Sequence, residues 1–119
     1  MIQARDRSNL DRDWRPARFE VEFDHSGPRA EVRCSGEIDC SNVEGLKRAL
    51  SETIGSGAQA LDVDLRQVEY FDSSTIEALL FARAELALTE RPLQVRVRPS
   101  AVRLLRLLRV ERILNASAD

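Results

Sequence analysis

An α/β fold, a small mixed β-sheet carrying packed helices in the order β-β-α-β-α-β-α, is what the sequence predicts, and three observations predict it. Short runs alternate apolar and polar residues at Phe19–Phe23, Ala30–Cys34, Leu61–Leu65 and Leu93–Val97, the period of a strand with one face buried. Between the second, third and fourth of these runs, apolar residues recur at helical spacing. Each intervening helix must then cross between strands, and right-handed crossovers between parallel neighbours are the regular solution. With 119 residues, 43% hydrophobic and 32% charged, the chain has the size and composition of one globular domain with a modest core.

The elements follow in chain order. Phe19, Val21 and Phe23 alternate with Glu20, Glu22 and Asp24, and Asp24-His25-Ser26-Gly27-Pro28 reads as the turn of a hairpin returning through Ala30, Val32 and Cys34. Ser35 to Asp39 closes that strand. Ser41 or Asn42 caps a helix whose apolar positions are Val43, Leu46, Ala49, Leu50 and Ile54, and Gly55-Ser56-Gly57 ends it. Leu61, Val63 and Leu65 alternate with Asp62, Asp64 and Arg66, a half-buried strand leading through Val68 and Phe71 into Asp72-Ser73-Ser74-Thr75. The second helix runs from about Thr75 to about Thr89, where Arg91-Pro92 stops it. Leu93, Val95 and Val97 make the fourth strand, Pro99 ends it, and Ser100 caps a third helix beginning at Ala101. At about 100° per residue, Ala101, Leu104, Leu105 and Leu108 share that helix's buried face and Arg103 and Arg106 lie opposite. A continued helix would turn Arg112 inward, so it ends near Arg109–Glu111. Residues 1–18 are polar, mixed in charge and anchored by Trp14 alone; they read as a flexible or loosely docked arm before a single domain over residues 19–119.

Composition excludes several functions. The longest apolar run is five residues, Ala78 to Ala82, against the roughly 20 needed to span a bilayer. The first 18 residues carry five Arg and three Asp without an apolar signal core, so a cytoplasmic protein without membrane insertion is expected. Two cysteines, Cys34 and Cys40, and one histidine, His25, make neither a disulfide framework nor a zinc site. The thiols are expected to be reduced and partly buried, His25 to be a surface turn residue, and no metal or cofactor is expected. Residues 19–90 hold six basic and fifteen acidic side chains, whereas residues 91–119 hold seven Arg and two acids. An acidic body opposes phosphate, and arginines at three-residue spacing spiral around the last helix, so neither nucleic acid nor a membrane surface is expected as partner. The folded protein is expected to be a monomer or weak dimer.

The run Leu61-Asp62-Val63-Asp64-Leu65-Arg66-Gln67-Val68-Glu69-Tyr70-Phe71-Asp72-Ser73-Ser74 resembles the signature of STAS domains, the family of bacterial anti-sigma-factor antagonists. There an apolar strand ending in Asp-Leu leads to a Val and then to Asp-Ser-Ser at a helix start. Gly36-Glu37-Ile38-Asp39 resembles the family's Gly-Glu-Leu-Asp turn, and Pro99-Ser100-Ala101-Val102-Arg103-Leu104-Leu105 resembles its last helix, so the similarity covers roughly residues 19–115. In the family the second Ser of Asp-Ser-Ser is phosphorylated by a partner anti-sigma serine kinase, and the resemblance implies that role for Ser74. Two positions depart from the pattern: Thr75 stands where Gly is usual, and Arg109 where Gly often ends the last helix. A β-branched side chain beside the phosphoacceptor would alter kinase recognition or mark a branch that is never phosphorylated.

A phosphate at a helix N-terminus meets free N–H groups and the positive end of the dipole, so it is expected to leave the fold intact. Ser74-Thr75-Ile76-Glu77 also reads as a capping box. Asp39 and Asp72 both follow strands at their C-terminal ends, where α/β sheets gather ligands and partners; Asp39 is either a partner contact or a turn cap, and Asp72 a helix cap before it is a catalyst. Around the second helix Ser74, Glu77, Ala78, Phe81 and Glu85 share one side, while Ile76, Leu79, Leu80 and Ala87 share the other. The expected partner-binding face is therefore Asp39, Asp72, Ser73, Thr75, Glu77, Ala78 and an exposed Phe81. Two functions fit. One is an antagonist that binds an anti-sigma serine kinase and is released by phosphorylation of Ser74. The other is an accessory subunit of a lipid-transport ATPase complex or stress-signalling assembly in which Ser74 is only a cap. No acid–base pair, metal cluster or Gly-rich phosphate loop points to an enzyme.

Overall fold

The computed structural model describes residues 17–23 and 28–118; the expected arm with Trp14 and the turn around His25 lie outside them. Five strands line up in sequence order, β1 (Arg18–Phe23), β2 (Arg29–Ile38), β3 (Ala60–Phe71), β4 (Leu93–Arg96) and β5 (Ala116–Ser117). β1 and β2 are antiparallel, and every later pair is parallel. Helices α1 (Val43–Gly55), α2 (Ser73–Ala87) and α3 (Pro99–Leu107) make the three crossovers. Because the strand order never reverses, right-handed crossovers put all three helices on one face. The burial pattern agrees: Ala30, Val32, Leu61, Val63, Leu93 and Val95 meet across the registers and share a core with Leu46, Leu50, Leu79, Leu86 and Leu105.

Two differences from the sequence reading arise at the chain's end. α3 starts at Pro99, with Arg98 rather than Ser100 at the capping position, because proline's fixed φ suits the first helical residue. It stops at Leu107, and Arg109 takes φ 61°, the left-handed conformation that makes Gly common just past a helix. Leu114 is then fully buried, and β5, which the alternation does not reveal, pairs Ala116 with Val95.

β3 is a further departure. Its Asp62 and Asp64 are buried although they alternate away from the helices. Arg29 Nη2 donates to Asp62 Oδ1 at 2.6 Å, and Arg66 holds Asp64 through Nη2 at 2.8 Å, Nε at 3.0 Å and its backbone N–H at 3.0 Å. Those hydrogen bonds from Arg66 outweigh desolvation and keep the Asp64 carboxyl below its ordinary value of 3.8. A carboxyl that is more acidic folded than unfolded stabilises the fold fully above about pH 4, and the contribution is lost as pH falls through the folded value. Thermal melts at descending pH should therefore show the wild type losing stability below about pH 4 more steeply than Asp64→Asn. Parallel pH profiles would contradict this.

The register also positions the far end of the sheet. Between Arg33 and Glu37 of β2, the partner strand β3 carries two extra residues, and the pairing closes again at Ile38 opposite Phe71. Gly36 takes φ 89° within this irregular stretch, which glycine adopts without a Cβ clash. The residues after the two strands, Asp39 and Asp72, thereby emerge side by side.

Candidate functional site

Asp72 ties the two strand ends together. Its Oδ1 accepts the Ser74 backbone N–H at 3.0 Å and the Ser74 hydroxyl at 2.5 Å, while its Oδ2 accepts the Cys40 N–H at 3.2 Å. One carboxylate thus caps α2 and anchors the loop that enters α1. Asp39 organises that loop: its Oδ1 accepts from the Ser41 N–H at 2.9 Å and from the Ser41 hydroxyl at 2.5 Å, an Asx turn. Asn42 stands at the N-cap of α1 but turns its amide back into the loop, accepting from Asp39 N–H at 3.0 Å and donating to the Glu37 carbonyl at 2.9 Å. Asp39 thus makes the turn cap that was one of its two sequence readings, whereas Ser41 and Asn42, read as caps of α1, spend their side chains within the loop.

The capping box does not form as read. α2 begins at Ser73, so Ser74 lies inside the first turn and Asp72, two residues earlier, holds the cap. A carboxylate at that position accepts two hydrogen bonds and opposes the positive helix end, which a serine hydroxyl cannot match. Ser73 is exposed, Ser74 is half-buried and Glu77 is exposed. Thr75 is completely buried, and its Oγ1 has no hydrogen-bond partner. Thr75 is therefore no surface contact: its side chain faces the core directly beside Ser74.

Further along α2, Phe81 is 68% exposed, as expected from the helical count, but Ala78 is only 4% exposed. Ala78 and Ala82 lie on the flank facing α1, and small side chains there let the two helices approach. Counting around one helix in isolation leaves out this second neighbour. Ala87, placed on the inner side by the same count, is exposed at the end of the helix. Between α1 and α2 runs an open groove of about 440 Å³, with Leu50, Ile54, Ala78 and Ala82 along its floor, Phe81 beside it, and Glu77 and Glu85 on its rim. Lys47 borders the same groove and is paired with Glu44 at 3.3 Å.

The two thiols differ more than expected. Cys34 is buried in β2, where desolvation and then the charge of Asp64 push its thiol up to about 12; Cys40 is exposed in the loop held by Asp72. A disulfide-exchange reagent should titrate one thiol in the native protein, Cys40, and the second only in denaturant. Two thiols reacting without denaturant would contradict the burial of Cys34. Among the described residues no cluster of His, Cys, Asp or Glu could hold a metal ion, and no helix is long and apolar enough to cross a membrane.

A family model described as Mlab, STAS domain, matches residues 21–115. No curated protein matches the chain. Among solved structures, an anti-sigma factor antagonist from Mycobacterium paratuberculosis is 27% identical, with a TM-score of 0.78 over 87% of this chain and 87% of its own. The unphosphorylated form of the anti-sigma factor antagonist SpoIIAA is 18% identical, with a TM-score of 0.69 over 86% of this chain and 90% of its own. The phosphorylated form of the Bacillus cell fate determinant SpoIIAA is 20% identical, with a TM-score of 0.63 over 86% of this chain and 93% of its own. These last two share the fold.

Proposed function

The chain belongs to the STAS domain family, and from that premise we propose that it is an anti-sigma-factor antagonist that docks on an anti-sigma serine kinase through the start of α2 and is switched off by phosphorylation of Ser74. The observation carrying this reading is the Ser74–Asp72–Cys40 connection, in which one carboxylate holds the hydroxyl in question and the neighbouring loop at once. The likeness to the Mycobacterium paratuberculosis antagonist supports the general role.

Transfer of the γ-phosphoryl group of ATP to Ser74 forms an Oγ–P bond and breaks the bond to the β-phosphate oxygen, so ADP leaves, while the hydroxyl proton passes to a base of the kinase. Ser74 then no longer donates to Asp72, and a group of about −1.5 to −2 charge sits against that carboxylate. The helix dipole and the free N–H groups of the first turn offset the local cost. Asp72 is under repulsion from one side and still holds Cys40 on the other. The change therefore reaches both the α2 surface and the Asp39–Asn42 loop, the two parts of the proposed docking face. Of the residues expected there, Asp39, Asp72, Ser73, Glu77 and Phe81 retain surface; Thr75 and Ala78 do not.

The second reading, a permanently docked accessory subunit in which Ser74 is only part of the cap, is favoured by one observation: the Ser74 hydroxyl is already satisfied by Asp72, beside a buried Thr75. Affinity capture with wild type, Ser74→Ala and Ser74→Asp as baits separates the two. The antagonist reading expects wild type and Ser74→Ala to retain an ATP-binding partner that Ser74→Asp releases. Equal capture by all three baits would overturn it in favour of the permanent subunit.

A further inference from the structure

α3 carries an apolar strip of three leucines, two of which, Leu104 and Leu108, the sequence reading placed inside. Leu105 is the buried residue of this helix, whereas Leu104 is 42%, Leu107 75% and Leu108 51% exposed. These three leucines stand at i, i+3 and i+4, the spacing with which a helix enters an apolar groove. Arg103 lies one turn from Leu107 on the same side. Arg106 is paired with Glu111 at 3.1 Å, while Arg103 and Arg109 form no ion pair among the described residues.

The same molecule presents the counterpart of this strip. The α1–α2 groove has an apolar floor, Leu50, Ile54 and Ala78, with Phe81 beside it and Glu77 and Glu85 on its α2 rim, while Lys47 on its α1 rim is paired with Glu44. Apolar surface with a basic edge meets apolar surface with an acidic edge. Pairing two α3 strips symmetrically would instead bring Arg103 and Arg109 of both copies together, which like-charge repulsion disfavours. Within one chain, α3 crosses from β4 to β5, on the far side of α2 from the groove, so it cannot fill its own groove. We propose that α3 of one copy seats in the α1–α2 groove of a second copy, a head-to-tail contact.

The chain's net charge of −2 opposes association little. Three leucines and a groove of this size make a smaller contact than a permanent dimer uses, so the association is weak and rises with concentration. Because the seated α3 would cover Phe81 and Glu77, self-association and partner docking compete, a consequence that rests on the docking face proposed above.

Sedimentation velocity from about 1 µM to about 1 mM tests the contact without any partner protein. The wild type should show a mass that climbs with concentration. Leu107→Glu, which spoils the strip, and Phe81→Arg, which spoils the groove edge, should each weaken association at least about tenfold with unchanged circular dichroism. Mixing the two variants should restore a dimer and nothing larger, because Phe81→Arg keeps an intact α3 and Leu107→Glu keeps an intact groove. Arg103→Glu and Glu85→Arg should each weaken association without altering apolar surface, and mixing them should recover it, because both contacts in the mixture then pair opposite charges. A wild type monomeric throughout, a variant that associates like wild type, or a mixture that stays monomeric would each overturn the proposal.

Discussion

Ser74→Asp should weaken binding to the captured partner by about 100-fold or more while the domain stays folded. The substitution removes the hydroxyl donor and places a second carboxylate beside Asp72, on a body that already carries fifteen acids against six bases between residues 19 and 90. Neither change touches the core, since Ser74 is half-buried and the aspartate sits at the favourable end of the helix dipole. Ser74→Ala loses the same hydrogen bond without adding charge, at about 1 kcal/mol of stability, and should bind as wild type does. Titration calorimetry of both variants against the partner separates charge from hydrogen-bond loss: equal weakening by Ala and Asp would show that charge is not the switch.

Asp72→Ala should have the largest effect on stability of any surface substitution in the site, about 2 kcal/mol or more. It removes the cap of α2 and the acceptors of the Ser74 hydroxyl and the Cys40 N–H in one step. For a domain of this size the melting temperature should fall by about 8–12 °C. Asp72→Asn should recover roughly half of the loss, because an amide oxygen still accepts from Ser74 while its NH₂ group faces the Cys40 N–H. A melting temperature for Asp72→Ala within a degree or two of wild type would mean that the bridge between strand ends contributes nothing.

The parts of the structure that were legible in the sequence are those governed by local period. Val32, Val63 and Val95 announce buried strand faces by alternation, and Leu46 and Leu50 announce an inner helix face, so the order of the first seven elements could be read directly. Asp39 and Asp72 could be placed at strand ends, though not side by side, because that depends on the irregular register between β2 and β3. What was illegible depends on distant partners. Asp62 is buried on account of Arg29, 33 residues away; Ala78 is buried because α1 lies across from it; Leu104 and Leu108 are exposed because α3 sits at the sheet edge, beside a strand of two residues. The capping of α2 is a third kind of case. Asp72 and Ser74 are both good caps two residues apart, and the carboxylate, able to serve two donors of Ser74 and one of Cys40 at once, takes the position.

The central claim is that Ser74 is the phosphorylated residue, and phosphopeptide mapping by mass spectrometry of the protein isolated from the cells that produce it tests this most directly. The account predicts phosphate on Ser74 and on neither Ser73 nor the buried Thr75. Phosphate on Ser73 or Thr75, or on no residue of the Asp72–Thr75 segment under any growth condition, would contradict it.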